Sequence, residues 1–584
     1  MRGATLEAVR PRSLTRDPGP PVHPLGMNAR VLLASVFGPY ALDDEYGSRA
    51  INPMELYHNQ VTRVQGVFSL RMFHRSWGLM LIQANLDAPC TLLDFPTLSR
   101  FVDELRSVPY DVIGIGAILP NIGKVAKMCA LIREHQPEAT IVVGGHVANH
   151  PRLLDWTVAD HVVKGDGVRW FRRFLSQATD APIRHPLIQS AIGSRTLGVN
   201  LPKEPGETAA TLIPSVGCPL GCNFCSTSAM FGGKGRSVDF YRTGDELFAV
   251  MLGLAEAMSV QSFFIMDENF LLHRKRALRL LELMRAEGKS WSLYVFSSVN
   301  TLRRYTMDEI VGLGVSWVWV GLEGKGSAYD KLEHADTRSL VDTLQSHGIR
   351  VLGSSIVGLP EHSPRNIDEA IDYAVAHDTE FHQFMLYTPL PGTPLHAEHL
   401  AKGTLLADDE CPPADSHGQS RFNFRHPLIR EGQETGFLLR AFHRDFEQNG
   451  PSILRIARTL LRGWQRHKDH PEARVRERYR RECRGLPTTY AGALWAAQHW
   501  LRASPLLVRR IADIRQAIVR EFGLVARLAG PVAGAFLLAA MHREARRLRV
   551  GPSHEPPTFY EINRTGTSAI GDGPSPCRWI SAAY

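Results

Sequence analysis

Three cysteines, Cys218, Cys222 and Cys225, stand at C-x3-C-x2-C spacing in the stretch Gly217-Cys218-Pro219-Leu220-Gly221-Cys222-Asn223-Phe224-Cys225, directly after an apolar run from Thr211 to Val216. Such short spacings let three thiolates converge from one loop, and three ligands leave one coordination position for something other than protein. A structural zinc site takes a fourth ligand, usually from a second C-x2-C or a His pair, and neither occurs nearby. A 4Fe-4S cluster with one iron open to substrate fits the set better. Three buried or disulfide-bonded cysteines are the bland alternative, and the tight spacing argues against it.

A loop of this kind needs a rigid platform. The apolar run before it opens a series of six strand-helix units, with strands expected at Thr211 to Val216, Gln261 to Met266, Trp291 to Ser297, Ser316 to Gly321, Arg350 to Val357 and Glu380 to Tyr387. Units of this length suggest a barrel or partial barrel, whose active residues belong at the carboxyl ends of the strands. The sequence obeys that rule. The first strand feeds the cysteine loop, the second Asp267-Glu268-Asn269, the third ends in Phe296-Ser297-Ser298, the fourth runs into Gly321-Leu322-Glu323 and the fifth into Gly358-Leu359-Pro360-Glu361. Asp267 and Glu268 read equally well as an acidic pair favoured by a helix dipole. Gly358 and Pro360 also read as plain turn formers.

Upstream, strands are expected at Val31 to Ser35, Cys90 to Asp94, Asp111 to Ile118, Thr140 to Val143 and His161 to Lys164, with helices such as Phe68 to Leu86 between them. Alternating strands and helices argue for a parallel, doubly wound sheet. Its strand ends carry Gly116, Gly144-Gly145 and Gly165-Asp166-Gly167, where a ligand and a backbone can approach closely. His146 and His150, beside one of these turns, read as hydrogen-bonded loop residues rather than metal ligands.

The cysteine loop, with an aromatic before its last Cys, resembles the signature of the radical SAM superfamily, and the six barrel segments resemble that family's barrel in the same order. The stretches DVIGIGAILPNIGKV, ATIVVGGHVANHP and ADHVVKGDG resemble the cobalamin-binding domain of its B12-dependent branch. The resemblance implies that Cys218, Cys222 and Cys225 hold a 4Fe-4S cluster whose open iron chelates S-adenosylmethionine. Phe224 would then lie against the adenine; Asp267, Ser297 and Glu323 would bind other parts of SAM; Gly116, Gly144, Gly145, Gly165 and Gly167 would approach cobalamin. One departure stands out. The D-x-H-x-x-G motif that supplies a cobalt ligand in many B12 proteins is absent, and the only D-x-H, Asp415-Ser416-His417, lacks the Gly and lies far downstream. Cobalamin would be bound without a His ligand, or the domain would have kept its fold and lost the cofactor.

The implied activity is methylation of an unactivated carbon in a small-molecule or lipid substrate, with electrons from a flavodoxin or ferredoxin. Ring formation, ring contraction or oxygen insertion with the same cofactors is the first alternative, and a non-catalytic iron-sulfur or cobalamin binding protein the second. A methylthiotransferase would bring three further cysteines in the front domain, which here has only Cys90 and Cys129.

With 584 residues, 44% hydrophobic and 22% charged, the chain is long enough for three or more domains of a folded soluble protein. Its 8 cysteines argue for a reducing compartment, hence the cytoplasm. The expected organisation is α/β: a disordered 1–26, with Met27 as an alternative start; a Rossmann-like B12-binding domain, 27–178; a linker, 179–205; a radical SAM partial (β/α)6 barrel, 206–405; a basic, mainly α-helical region, 406–550; and a disordered tail, 551–584. The net charge of +8 is unevenly placed, because residues 426 to 550 hold 24 Lys and Arg against 11 Asp and Glu. That region is expected to cover the substrate, with membrane contact and then nucleic-acid binding as further readings; no nucleic-acid motif accompanies the charge. Its run Leu528 to Met541 is uncharged but short and interrupted by Pro531, so it suggests a buried or interfacial helix.

Overall fold

A computed structural model describes residues 21–37, 46, 61–73, 75–200, 208–324, 336–550, 561–565 and 579–581. The first half of the chain supplies β1 (Val31–Ser35), β2 (Arg71–Phe73), β3 (Cys90–Asp94), β4 (Val112–Gly116), β5 (Thr140–Gly144) and β6 (His161–Val162), with helix α1 (Trp77–Ala84) between β2 and β3. The rest of the chain supplies β7 (Gln189–Thr196), β8 (Ala209–Leu212), β9 (Ser262–Ile265), β10 (Ser292–Ser297), β11 (Val315–Glu323), β12 (Arg350–Val357), β13 (Phe381–Leu386) and β14 (Glu561–Thr565).

The first sheet runs β14-β3-β1-β4-β5-β6 and is parallel except for β14. Strands β1 and β3 are buried along their whole length, as runs covered on both faces must be. The chain leaves β1 for β3 on one side and then crosses to β4 on the other. The carboxyl ends of β1 and β4 therefore form the switch point at which doubly wound sheets take their ligands.

The second sheet runs β13-β12-β11-β10-β9-β8-β7-β2, of which β8 to β13 are six parallel strands. Burial alternates along β10, β11 and β13, so that Tyr294 and Phe296, Trp317 and Trp319, and Gln383 and Met385 share the half-exposed face while their neighbours are buried. Phe296 and Trp319 stack at 5.0 Å between ring centroids. Lower down, Val61, Leu352 and Phe381 form a small core with Leu70 and Trp317.

Three expectations are corrected here. The segment read as a linker contains β7, which pairs antiparallel with β8 and with β2 and so extends the barrel sheet. Its sequence, QSAIGSRT, has no apolar alternation, and backbone hydrogen bonds to a neighbouring strand hold it instead. The expected helix from Phe68 to Leu86 is confined to α1, because β2 takes its first part. The tail read as disordered contributes β14, which covers the open edge of β3 in the register Glu561↔Asp94 to Thr565↔Cys90, and Trp579–Ser581, which pairs with Arg184–Pro186. Most of 1–26 and the remainder of the tail lie outside the described residues.

The basic region is helical, as expected, and one of its helices lies at the opposite end of the barrel from the mouth. Its helix Ala473–Cys483 packs against the amino ends of the barrel strands. Arg474 donates to the Gly312 carbonyl (2.7 Å), Arg478 to Val311 (3.0 Å) and Arg481 to Ser290 (2.6 Å), while Arg350 pairs with buried Glu482 at 2.7 Å. Arg474, Arg478 and Arg481 thus cap carbonyls at the barrel floor.

Candidate active site

The cysteine loop leaves β8 and doubles back before helix α2 (Ser226–Met230). Two glycines make that path: Gly217 at φ +83° and Gly221 at φ +66°. A Cβ on Gly217 would lie 2.7 Å from Phe231 Cβ, and one on Gly221 2.5 Å from Lys234 Cα, so neither tolerates a side chain. The loop is tied by Cys225 N–H to the Cys222 carbonyl (3.0 Å), Gly235 N–H to the Pro219 carbonyl (2.8 Å) and Ser228 Oγ to the Cys218 carbonyl (2.9 Å). Cys225 also caps α2, its Sγ accepting from Ser228 N–H at 3.4 Å.

All three cysteines are partly exposed and unbridged. Burial pushes the Cys218 thiol up to about 11 and raises Cys225 as well; Cys222 and Glu268 add repulsion at both. A cationic centre would reverse this, because thiols crowded together give up their protons to a metal. Among the described residues no three His, Cys, Asp or Glu side chains converge on a point as one ion requires. A cluster bound by one thiolate per iron asks only for three sulfurs around its rim, and three half-buried thiols on one glycine-turned loop match that donor set.

At the carboxyl end of β9 the structure corrects the assignment of Asp267. Its carboxylate is buried and occupied: Arg276, on helix α3 (Arg274–Ala286), approaches Oδ2 at 2.5 Å, Ser215 Oγ donates to the same oxygen at 2.5 Å, and Asn269 N–H donates to Oδ1 at 3.0 Å. Asp267 is a brace between the cysteine loop and α3. The neighbouring Glu268 is the carboxylate this strand end leaves uncommitted. Burial pushes its carboxyl up to about 7, the Gly217 N–H being one of the donors that oppose the rise, and its buried Oε2 has no hydrogen-bond partner. The sequence pointed to Asp267 instead, since adjacent carboxylates at a strand end alternate between faces and only packing tells which is committed.

Ser297, at the end of β10, donates to Asn269 Oδ1 at 3.2 Å, joining the third strand end to the second. Glu323 ends β11 at φ +53°, beside a register shift between Gly321 and Glu323. A non-glycine residue in that region is strained, and such strain gathers at functional sites. Phe224 is half-buried against the apolar cluster that includes Val357, Leu359 and Leu395.

The carboxyl edge of the first sheet meets this loop directly. After β5, Gly145 turns at φ +81°, where a Cβ would come within 2.5 Å of the Ala117 carbonyl oxygen. His146 Nε2 then lies 3.1 Å from Thr227 Oγ1 on α2, and Asn149 Nδ2 donates to the Ser226 carbonyl at 2.8 Å. Burial lowers the His146 pKa. Gly165 (φ +86°) faces the Met230 carbonyl, 3.7 Å from an added Cβ. Gly144 has the Val163 carbonyl 3.6 Å away, whereas Gly116 and Gly167 make room for Leu79 and Ile82 of α1 and so serve packing. Cys90 and Cys129 are buried in the first domain, far from any ligand role, and burial takes the Cys129 thiol to about 12.

Six buried amide or hydroxyl oxygens without partners lie on the segments meeting here: Asn121 and Asn149 beyond β4 and β5, Asn223 in the cysteine loop, and Gln419, Ser420 and Asn423 after the barrel. Orphaned polar atoms call for a polar ligand, and the rim of amide side chains on a corrin is of matching chemistry. The downstream segment reaches the first domain, too. Ala414 packs into its core, and the Pro413–Asp415 turn lies against Leu119–Asn121, which carries Asp415-Ser416-His417 to the same edge. Burial pushes His417 down to about 4, and its Nδ1 accepts from Gln419 N–H at 3.1 Å.

Residues 212–374 match the model of the radical SAM superfamily, so the barrel with its three-cysteine loop is a radical SAM domain. The chain is similar to an uncharacterized methyltransferase of Pyrococcus horikoshii, 26% identical over 53% of this chain and 74% of the relative. It is also similar to the bacteriochlorophyllide d C-12(1)-methyltransferase of Chlorobaculum tepidum, 29% identical over 55% of this chain and 75% of the relative. A solved structure of the radical S-adenosylmethionine methyltransferase TsrM from Kitasatospora setae, with cobalamin and a [4Fe-4S] cluster bound, covers 78% of this chain and 100% of its own at 15% identity, with a TM-score of 0.47. The family match bears out the resemblance of the barrel to the radical SAM superfamily, and both of these relatives are named as methyltransferases.

Proposed function

We propose that this protein is a cobalamin-dependent radical SAM methyltransferase acting on an unactivated carbon of a small-molecule or lipid substrate. The observation that carries the reading is the meeting of the cysteine loop with the carboxyl edge of the first sheet through His146, Asn149 and Gly165. A site between those two edges brings a methyl carrier and a radical source to one substrate.

Cys218, Cys222 and Cys225 would hold the cluster, which when bound supplies the electron that cleaves SAM to methionine and a 5′-deoxyadenosyl radical. The strand-end turns of the first sheet would hold cobalamin, which would supply the methyl group when bound. Glu268 takes the role first given to Asp267: its unpartnered Oε2 is an acceptor for the ammonium of SAM. Ser297 and Glu323 hold the ribose or carboxylate part, and Phe224 flanks the adenine. An electron donor of the flavodoxin or ferredoxin type, a cytoplasmic location and peripheral contact with a membrane complete the proposal.

The test is anaerobic purification followed by metal, sulfide and ultraviolet-visible analysis, with 5′-deoxyadenosine as the readout of SAM cleavage. Iron, sulfide and a corrin together with SAM cleavage absent from a Cys222→Ala control support the enzyme; zinc or no metal at the loop overturns it. A product heavier by one CH2 supports methylation against ring formation or oxygen insertion.

A further inference from the structure

Among the described residues, the C-terminal helices leave one large apolar face without a partner. Helix α4 (Ala491–Trp500), helix α5 (Pro505–Phe522) and helix α6 (Leu524–Val550) pack on one another, and α6 meets α4 through small residues. A Cβ on Gly492 would lie 2.6 Å from Ala533 Cβ, and one on Gly534 2.6 Å from the Trp495 ring. Ala526, Gly530, Gly534 and Ala540 are accordingly buried. On the other side of the same helix Leu524, Leu528, Val532 and Phe536 recur at every fourth position and are 70, 66, 76 and 60% exposed, with Val525 at 58% and Leu506 of α5 at 54%. A soluble surface scatters such residues singly, whereas five along the first four turns of one helix form a stripe.

Helix α6 is longer than its uncharged run suggested, and Leu524–Arg549 contains a window of mean hydropathy 1.8, enough by length and composition to cross a bilayer. Its contact with α4 forbids a simple crossing, since one face is committed to protein along the middle of the helix. The geometry points to a helix lying in the plane of the interface, apolar face down. Charge identifies the lipid. Arg509, Arg520, Arg527, Arg543, Arg546 and Arg549 are exposed on α5 and α6, and Arg502 in the turn before α5, against Asp513 as the one exposed acid among their described residues. Beyond Phe536 the outer face of α6 changes from apolar to cationic, as needed for a helix whose start enters the acyl region and whose end meets phosphates.

We infer that the outer face of α5 and α6 docks this protein on an anionic lipid bilayer, with Leu528, Val532 and Phe536 entering the acyl boundary and the arginines contacting headgroup phosphates. This deepens the membrane contact proposed for these helices and is independent of the reaction.

The test is flotation of the full-length, anaerobically purified protein with vesicles of phosphatidylcholine alone, or with about one third phosphatidylglycerol. Wild type is expected to float with the anionic vesicles and about tenfold less with neutral ones or at high salt. Val532→Glu/Phe536→Glu should lose about tenfold in binding while keeping its melting curve and its 5′-deoxyadenosine formation in vesicle-free solution. Arg543→Glu/Arg546→Glu should lose the preference for anionic lipid. Absence of flotation, or flotation unchanged in Val532→Glu/Phe536→Glu, overturns the inference. So does a wild-type dimer that Val532→Glu/Phe536→Glu converts to monomer, which would give the face to a second copy. Since SAM cleavage is read without vesicles, failure here leaves the enzymatic proposal standing, and loss of SAM cleavage leaves the docking face standing.

Discussion

Asp267 and Glu268 are neighbours with opposite circumstances. Asp267 is enclosed by Arg276 and Ser215, whereas Glu268 keeps an unpartnered oxygen beside the thiols. Glu268→Gln should therefore weaken SAM binding by roughly 10- to 100-fold, the worth of a charge-assisted hydrogen bond, with thermal stability unchanged or raised. Equilibrium binding of SAM to the reconstituted protein, paired with a melting curve, checks this. Arg276→Met should instead destabilise the fold by about 3–5 kcal/mol, because it strands a buried carboxylate. Adding Asp267→Asn to Arg276→Met should recover part of that loss in denaturant titrations, and no recovery would mean that the pair is not coupled. Replacing Cys222 by Ala should abolish cluster absorption as well as SAM cleavage.

Among the elements, β14 answers an edge problem. Without it β3 presents unpaired backbone groups along the outer edge of a parallel sheet, and Thr565 Oγ1 adds a bond to the Cys90 carbonyl at 3.2 Å. A chain ending at residue 550 is expected to aggregate more readily than the full chain, as light scattering during gentle warming would show, while retaining its cofactor content. Equal scattering from both chains would remove β14 from this role. The glycine turns of the cysteine loop are a comparable dependence: Gly221→Ala should prevent cluster loading by distorting the loop, since its Cβ would collide with Lys234 backbone.

Over the whole molecule, several buried histidines set the acid limit. Burial holds His185 at about 4 and His467 at about 3, the latter helped by His347. Both are depressed below the unfolded value of about 6.5, so the unfolded chain takes up protons first as pH falls. Their stabilising effect is complete above pH of about 6.5 and declines as pH drops toward 4, by up to about 1.4 kcal/mol per pH unit for each group. Urea titrations from pH 7 to 5 should show this slope, and His185→Gln should flatten it; a flat profile in the wild type would refute the account.

Some of this organisation was written in the sequence alone. Cysteine spacing set the donor set, because three thiols within eight residues share a loop whatever surrounds them. Strand-end glycines and apolar runs gave both parallel sheets, since period and turn chemistry are local properties. Tertiary structure decided what depends on contacts between distant segments: which of two adjacent carboxylates is committed to an arginine, that Pro413–Asp415 returns to the first sheet, that a tail strand closes β3, and that the arginines from 474 to 481 cap the barrel floor instead of its mouth. None of these leaves a periodic trace, because a hydrogen bond or a covered edge is satisfied by whichever segment arrives, and only the folded chain fixes which one does.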